Sequence, residues 1–523
     1  MNGSEAKRED AEKLLRKTLS LCPVCNKLIE ANVVERNGKV FIEKVCDEHG
    51  KFSDVYWADA EYYKRASKFF VEGRGLENPN TPSLLPCPFA CGLCSRHRSH
   101  TALANLVVTN RCDLRCWYCF FYSERAGYVY EPTLKQIEEM LKLLRKQKPV
   151  PCTAIQLTGG EPTLRDDLVE IIKLCKRLGF RHVQVNTNGV RLSRDPELAR
   201  RIREAGTNTI YLSFDGTTEK TNPKNHREVP KIIENCRKVG LGIVFVPTII
   251  NTVNDHEIGN IVRFASKNMD IVRGVNFQPV SLVGSMPREV EKFRITIPEV
   301  LQRLEEQTQG EICKEDFYPI PCVAPISHFV EAIKGRRTYE FTCSPWCGAA
   351  TYVFKDGDKL VPITRFVDVE GFFEYVRELT REVNSAKRFK FAKKIAALVK
   401  LARNLKRFVD TEKQPRGLHL EKMLSHIFLK RGEYRALGAF HHRALFIGMM
   451  HFMDQWNYDV ARVQRCVIHY VTPDMRVIPF CAFNVLPHVY RDVVQKKYGM
   501  PVEEWERKTG RKLADDFCRT ISK

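Results

Sequence analysis

Short apolar runs alternate with segments of helical periodicity through the middle of the chain. Strand-like runs fall at 182–186, 209–214, 242–248 and 275–279, and an earlier one starts at Ala154 and ends at Gly159-Gly160. Helix-like runs at 167–178, 196–205 and 229–239 separate them. Strands alternating with helices of this length predict a parallel sheet built from βα units. Ligands of such sheets sit at the carboxyl ends of the strands. Polar residues follow the runs there: Asn186-Thr187-Asn188-Gly189, Ser213-Phe214-Asp215-Gly216 and Gln278. Each alone reads as a turn residue, and the ordered series reads as a site.

Two later segments have a different pattern. Across 386–409, Phe391, Ile395, Leu398, Ala402, Leu405 and Val409 recur in steps of four and three, among nine basic residues and no acid. This predicts a helix with one apolar face and a cationic surface opposite. Such a helix lies in a membrane interface or packs on the core by its apolar face. Segment 436–456 is rich in flexible apolar residues, including Leu437, Phe440, Leu445, Phe446, Ile447, Met449, Met450, Phe452 and Met453. It reads as a buried helix or as the lining of a slot for an aliphatic chain.

Nothing in the pattern predicts a membrane span. The most apolar stretch, 444–450, is far shorter than the roughly twenty residues a span requires. Residues 1–17 are charged and lack a signal-peptide core, which places the chain in the cytoplasm. A length of 523 residues predicts several domains, and 43% hydrophobic with 28% charged residues describes a globular protein. The net charge of +21 points to an acidic partner, namely nucleic acid, an anionic membrane or a phosphorylated substrate. No recognised nucleic-acid module accompanies the charge, so nucleic acid is not expected.

Nineteen cysteines fall in clusters, and clustered cysteines in an intracellular chain read as metal ligands. Cys112, Cys116 and Cys119 have the spacing C-x3-C-x2-C, with Tyr118 before the last. Three thiolates can hold a four-iron cluster and leave one iron open to a ligand. Gly159-Gly160-Glu161-Pro162 follows at the end of its apolar run. Paired glycines let backbone approach a ligand closely, and Glu161 can accept a hydrogen bond from an ammonium group.

Cys22-Pro23-Val24-Cys25 with Cys46-Asp47-Glu48-His49-Gly50 reads as a metal knuckle. Its fourth ligand is His49, favouring zinc, or a distant cysteine, favouring a mononuclear iron. Cys87, Cys91 and Cys94 repeat C-x3-C-x2-C without the Gly-Gly-Glu-Pro stretch at the right distance. They read as an auxiliary cluster site or a second zinc knuckle. Cys313, Cys322, Cys343, Cys347, Cys466 and Cys481 follow, the last two flanking strand-like runs around a turn at Pro473-Asp474. Such a hairpin delivers one thiolate from each arm to a single cluster. These fifteen cysteines equal the need of one three-cysteine cluster, two four-cysteine clusters and a four-cysteine iron. Cys152, Cys175, Cys236 and Cys518 read as core or surface thiols.

The triad with Tyr118 and the Gly159–Pro162 stretch closely resembles the radical S-adenosylmethionine (SAM) enzymes. That resemblance implies a partial (βα)6 barrel with N-terminal knuckles and a C-terminal auxiliary-cluster domain. It implies a [4Fe–4S] cluster on Cys112, Cys116 and Cys119, and SAM held by Tyr118, Gly159, Gly160, Glu161 and Pro162. It further places Asn186, Asn188, Ser213, Asp215 and Gln278 beside SAM and substrate, and it implies a reductant protein. The order of knuckle, second triplet, core, His451-Phe452-Met453-Asp454 and Arg465-Cys466 to Cys481 resembles archaeal tetraether lipid synthases. This second resemblance implies two auxiliary [4Fe–4S] clusters, three clusters in all, and a rubredoxin-like iron. It implies a diether phospholipid substrate whose isoprenoid tail ends are joined, two SAM per new bond, with peripheral contact to an anionic membrane.

The implied divisions are 1–100 (metal-binding), 101–300 (core), 301–385 (auxiliary cluster), 386–430 (membrane interface) and 431–523 (cluster and substrate). Two rivals stay open. One is a radical SAM methylase or modifying enzyme acting on a soluble phosphorylated cofactor such as a pterin. The other is a cluster-bearing electron-transfer or RNA-associated protein, against which the Gly-Gly-Glu-Pro stretch argues.

Overall fold

A computed structural model describes residues 12–121, 126–286, 290–385, 390–429 and 440–522. Strands β1 (Lys13–Leu21), β2 (Leu28–Arg36), β3 (Lys39–Cys46) and β4 (Gly50–Trp57) form an antiparallel sheet in sequential order. The turns from β1 to β2 and from β3 to β4 hold the four knuckle residues.

The alternating pattern of the middle region becomes the predicted βα units. Strands β5 (Leu103–Thr109), β6 (Ala154–Gly159), β7 (His182–Thr187), β8 (Thr209–Ser213), β9 (Gly242–Val246) and β10 (Val272–Pro279) run parallel as neighbours. Helices separate them, and local chemistry sets the ends of the helices. Pro196–Ala205 starts behind the Asp195 carboxylate, which accepts the Leu198 amide, and stops at left-handed Gly206. The α/β barrel expected from the resemblance is therefore present.

The sheet is larger than the pattern predicts, with thirteen strands. β12 (Ala444–Met450) adds parallel to β10, and β11 (Gly348–Asp356) pairs antiparallel with β12. At the opposite edge β13 (Ile468–Val471) adds parallel to β5, and β14 (Val477–Pro479) folds back on β13. Residues 444–450 are thus a strand, where the sequence reading had a helix or an aliphatic slot. Seven apolar residues, mostly buried, suit a strand inside the sheet, parallel to one neighbour and antiparallel to the other, and are too few for a packed helix. Residues 436–439 lie outside the described residues.

The basic segment also differs from expectation. The helix covers Lys390–Asn404, and residues 386–389 lie outside the described residues. Its buried stripe is Ala397, Leu401 and Leu405, packed against Phe329, Val376, Leu379 and Val383 of neighbouring helices. Of the predicted face, Leu405 and Val409 are buried and Leu398 packs against the same neighbours, while Phe391 and Ile395 are 72% and 44% exposed. The C-terminal half of the predicted face therefore packs on the core and its N-terminal end is open. No helix among the described residues is long and apolar enough to cross a membrane.

The ribbon docks on the C-terminal region through buried charges. Arg16 donates to Asp459, which also accepts from Thr18 and Tyr56. Arg294 bridges Asp54 of β4 and Asp454.

Candidate metal centres and SAM cavity

The β1–β2 and β3–β4 turns bring four donor atoms together. The sulfurs of Cys22, Cys25 and Cys46 and a ring nitrogen of His49 all lie within 4.8 Å of one another. Cys25 and Cys46 sulfurs are 3.9 Å apart, and His49 Nδ1 is 3.5 Å from Cys46 and 3.8 Å from Cys22. Ligands 2.0–2.3 Å from one tetrahedral centre stand roughly 3.5–3.8 Å apart, so the set fits a zinc-sized ion. His49 therefore stands at the fourth position, the alternative that favours zinc, and no fourth cysteine joins the three among the described residues.

The second centre sits at the carboxyl ends of β5 to β10. One cavity is lined by Cys112, Cys116, Cys119, Tyr118, Gly159, Gly160, Glu161, Asn186, Asn188, Ser213 and Gln278. Burial pushes the Cys116 thiol up to about 12 and raises the Cys112 thiol as well, and buried thiols of this kind ionise against a metal. The two glycines approach the root of the cysteine loop. A Cβ on Gly159 or Gly160 would stand 2.0 Å from the carbonyl oxygen of Thr109 or Arg111. The amides of Gly160 and Glu161 donate to those same carbonyls, which registers the loop against β6.

Glu161 is buried, and burial with the Asp113 charge pushes it up to about 7. Its carboxylate already accepts from Thr163, Thr187 and the Asn188 amide. It ties the ends of β6 and β7 together. Asn188 in turn donates to Asp113 at 2.6 Å. Two expected residues stand behind the cavity wall. Pro162 opens a short buried helix. Asp215 accepts from Tyr118 Oη at 2.6 Å and from the Thr248 amide at 2.8 Å.

Lys224 was not anticipated. Its Nζ lies 3.0 Å from Asp215 and 4.7 Å from the Tyr118 ring centre, and the side chain lines the cavity. Burial opposes its charge, but Asp215 and the nearby Cys116 hold the ammonium well above its usual range. In sequence it is a lone lysine in a polar loop with no local signal.

The outer cysteines divide. Charges on Cys481 and Cys347 add to burial in raising Cys466, and those of Cys347 and Cys466 do the same for Cys343. Arg462 Nε donates to Cys347 Sγ at 3.4 Å, and the Met453 amide donates to Cys481 Sγ at 3.4 Å. These four thiols form one neighbourhood, with the β13–β14 hairpin supplying one from each arm as predicted. Buried Cys322 adjoins Cys343. Cys313 lies instead with the carboxylates of Glu305 and Glu315. Cys87 and Cys91 adjoin each other, with Cys94 and Tyr490 beside Cys91. Tyr490 Oη accepts the Cys91 amide at 3.0 Å.

Buried histidines surround these groups. Burial holds His97 and His100 near 4, and burial with the Arg462 and Arg294 charges holds His451 near 3. A histidine lowered in the folded state is stabilising above its unfolded pKa of about 6.5. That stability is lost as pH falls, because the unfolded chain takes the proton first. Each should lower unfolding free energy by up to about 1.4 kcal/mol per pH unit between pH 6.5 and 4, offset in part by Glu161 and Asp54, which keep their protons in the folded state up to about 7 and about 6. Urea midpoints across that window test this, and a flat profile overturns it.

Residues 106–265 match the radical SAM superfamily, and residues 14–58 match the HMPTM N-terminal zinc ribbon domain. A 7,8-dihydro-6-hydroxymethylpterin dimethyltransferase of Methanocaldococcus jannaschii is 47% identical over 501 residues, 94% of this chain and 97% of that one. A GTP 3′,8-cyclase of Clostridium acetobutylicum is 28% identical over 249 residues, 46% of this chain and 73% of that one. Likeness to solved structures is loose. Methylornithine synthase aligns with TM-score 0.30 at 17% identity over 40% of this chain and 64% of that one. These findings overturn the expected diether phospholipid substrate and tail-joining reaction, since the relative that matches nearly the whole chain is a pterin dimethyltransferase. The expected contact with an anionic membrane loses its basis with them.

Proposed function

The chain belongs to the family of that 7,8-dihydro-6-hydroxymethylpterin dimethyltransferase, within the radical SAM superfamily, and from that membership we propose that it methylates a dihydropterin. The near-full-length likeness carries the reading. The basic net charge of +21 supports a substrate or precursor bearing phosphate.

The chain's own residues divide the work. Cys112, Cys116 and Cys119 would hold a [4Fe–4S] cluster at the mouth of the barrel. With SAM bound beside it, such a cluster would supply the one-electron chemistry that an unactivated C–H bond requires. Gly159, Gly160 and Glu161 fix the cavity wall beside the amino group of SAM, with Asn186, Asn188, Ser213 and Gln278 completing it. Phe120, Phe452, Tyr470 and Phe480 line the same cavity and keep water from a radical. Cys343, Cys347, Cys466 and Cys481 are the donor set for one auxiliary [4Fe–4S] cluster, and Cys87, Cys91 and Cys94 anchor another. The ribbon holds zinc on Cys22, Cys25, Cys46 and His49. Electrons come from a separate reductant protein.

Lys224 takes the carboxylate of SAM, with Asp215 and Tyr118 as its positioning partners. A charge-assisted hydrogen bond of this kind predicts that Lys224→Met raises the KM for SAM about 10- to 100-fold, with a smaller change in kcat. An unchanged KM removes Lys224 from the SAM site.

The reading is tested by anaerobic incubation of reconstituted protein with SAM, a reductant, a one-carbon donor and 7,8-dihydro-6-hydroxymethylpterin, followed by mass spectrometry. A methylated pterin is the expected product. Formation of 5′-deoxyadenosine with the pterin unchanged overturns it.

A further inference from the structure

The floor of the cavity holds a row of amides where a small barrel usually carries aliphatic residues. Asn105 of β5, Gln156 of β6 and Gln184 of β7 are direct register partners across three parallel strands. Gln184 Nε2 donates to Gln156 Oε1 at 2.5 Å, and Gln156 Nε2 donates to Asn105 Oδ1 at 2.7 Å. The far end is fixed by His182, whose Nε2 lies 3.0 Å from Gln184 Oε1. Each amide therefore spends its oxygen on the neighbour before it and its nitrogen on the neighbour after it.

The row ends without a partner. Asn105 is 1% exposed and lines the cavity, yet its Nδ2 has no hydrogen-bond partner. Buried donors are nearly always paired, so an unpaired one at the end of a fixed relay, in a ligand cavity, is a place held for a ligand atom. The ligand atom must accept. Aromatic side chains Phe120, Tyr211, Phe452, Tyr470 and Phe480 line the same cavity, and their faces suit a flat ring.

We propose that Asn105 Nδ2 recognises a ring carbonyl or imine nitrogen of a planar heterocycle, with Gln156, Gln184 and His182 as positioning residues that fix its polarity. The assignment rests on the pterin reading and adds to it the residue that reads the ring edge. Asn276 of β10, also at the cavity, is too far round the sheet to belong to the row.

The test is equilibrium binding of 7,8-dihydro-6-hydroxymethylpterin to the anaerobic, SAM-loaded holoprotein and two variants. Asn105→Leu keeps the size and removes the donor. Asn105→Asp keeps the shape and the contact to Gln156 but, at pH 8, offers an acceptor where the donor stood. Both should weaken pterin binding about tenfold or more, and iron content and thermal midpoint report folding. Wild-type affinity in both variants overturns the assignment while leaving the pterin reading intact. Wild-type affinity in Asn105→Asp alone overturns the donor polarity proposed for the row. Failure of the wild-type protein to bind the pterin overturns the substrate reading and this assignment with it.

Discussion

Replacing Cys116 by alanine should reduce 5′-deoxyadenosine formation to the level of a control without enzyme, a loss on the order of a thousandfold or more, because the Cys112–Cys119 triplet is the one that shares its cavity with Gly159, Gly160 and Glu161. The chain has two C-x3-C-x2-C triplets of the same spacing, so this variant decides between them. Cys112, Cys116 and Cys119 share a cavity with Gly159 to Glu161 and Lys224, whereas Cys91 is held under Tyr490. The expected variant loses the EPR signal that responds to SAM but keeps zinc and the remaining iron. Retained SAM cleavage in Cys116→Ala, with loss in Cys91→Ala, would reassign the reactive cluster.

Replacing His49 by alanine should strip the ribbon of its metal. Metal binding in small zinc sites contributes about 10 kcal/mol or more to folding. The same end also docks through Ser20 and Lys44, which donate to the Tyr458 and Gln455 carbonyls, and the middle of the ribbon is anchored by Arg16 to Asp459 and by Asp54 to Arg294. The expected outcome is loss of zinc by elemental analysis and faster amide exchange at 19–28 and 44–52, with slower loss near the docked face. Zinc at the wild-type ratio would remove His49 from the site, and iron in its place would revive the rubredoxin-like alternative.

The barrel was legible because its signals are local. Each strand from 154 to 279 carries its own apolar run, and the helices between them their own periodicity, with Asp195 and Gly206 capping one of them. The edges were not. β12 and β13 join the sheet through partners far away in sequence, Ile447 with Val275 and Ile468 with Leu103, and residues 444–450 offer only an apolar run that suits strand and helix alike. The knuckle spacing placed three ligands but left the fourth open, because C-x2-H adjoins Cys46 in either reading. Lys224 had no pattern to reveal it, since its meaning comes from Asp215 and Tyr118 in other loops. The amide row was invisible for the same reason, as Asn105, Gln156 and Gln184 align only through sheet register. The substrate was misread because cysteine spacing describes the electron chemistry and says nothing of what is modified.

Edge pairing also sets a timetable for synthesis. Leu103 pairs with Ile468 and Val275 with Ile447, so both rims of the barrel leave the ribosome long before their partners. At roughly 5–20 residues per second, the first rim waits tens of seconds with its backbone hydrogen bonds unmade. Cys112, Cys116 and Cys119 are already outside the ribosome during that wait. Cys466 and Cys481 arrive last, beside the strand that seals the rim. Iron loading before translation ends would meet an open, aggregation-prone half-barrel, and a chain cut short of residue 468 would keep that rim bare.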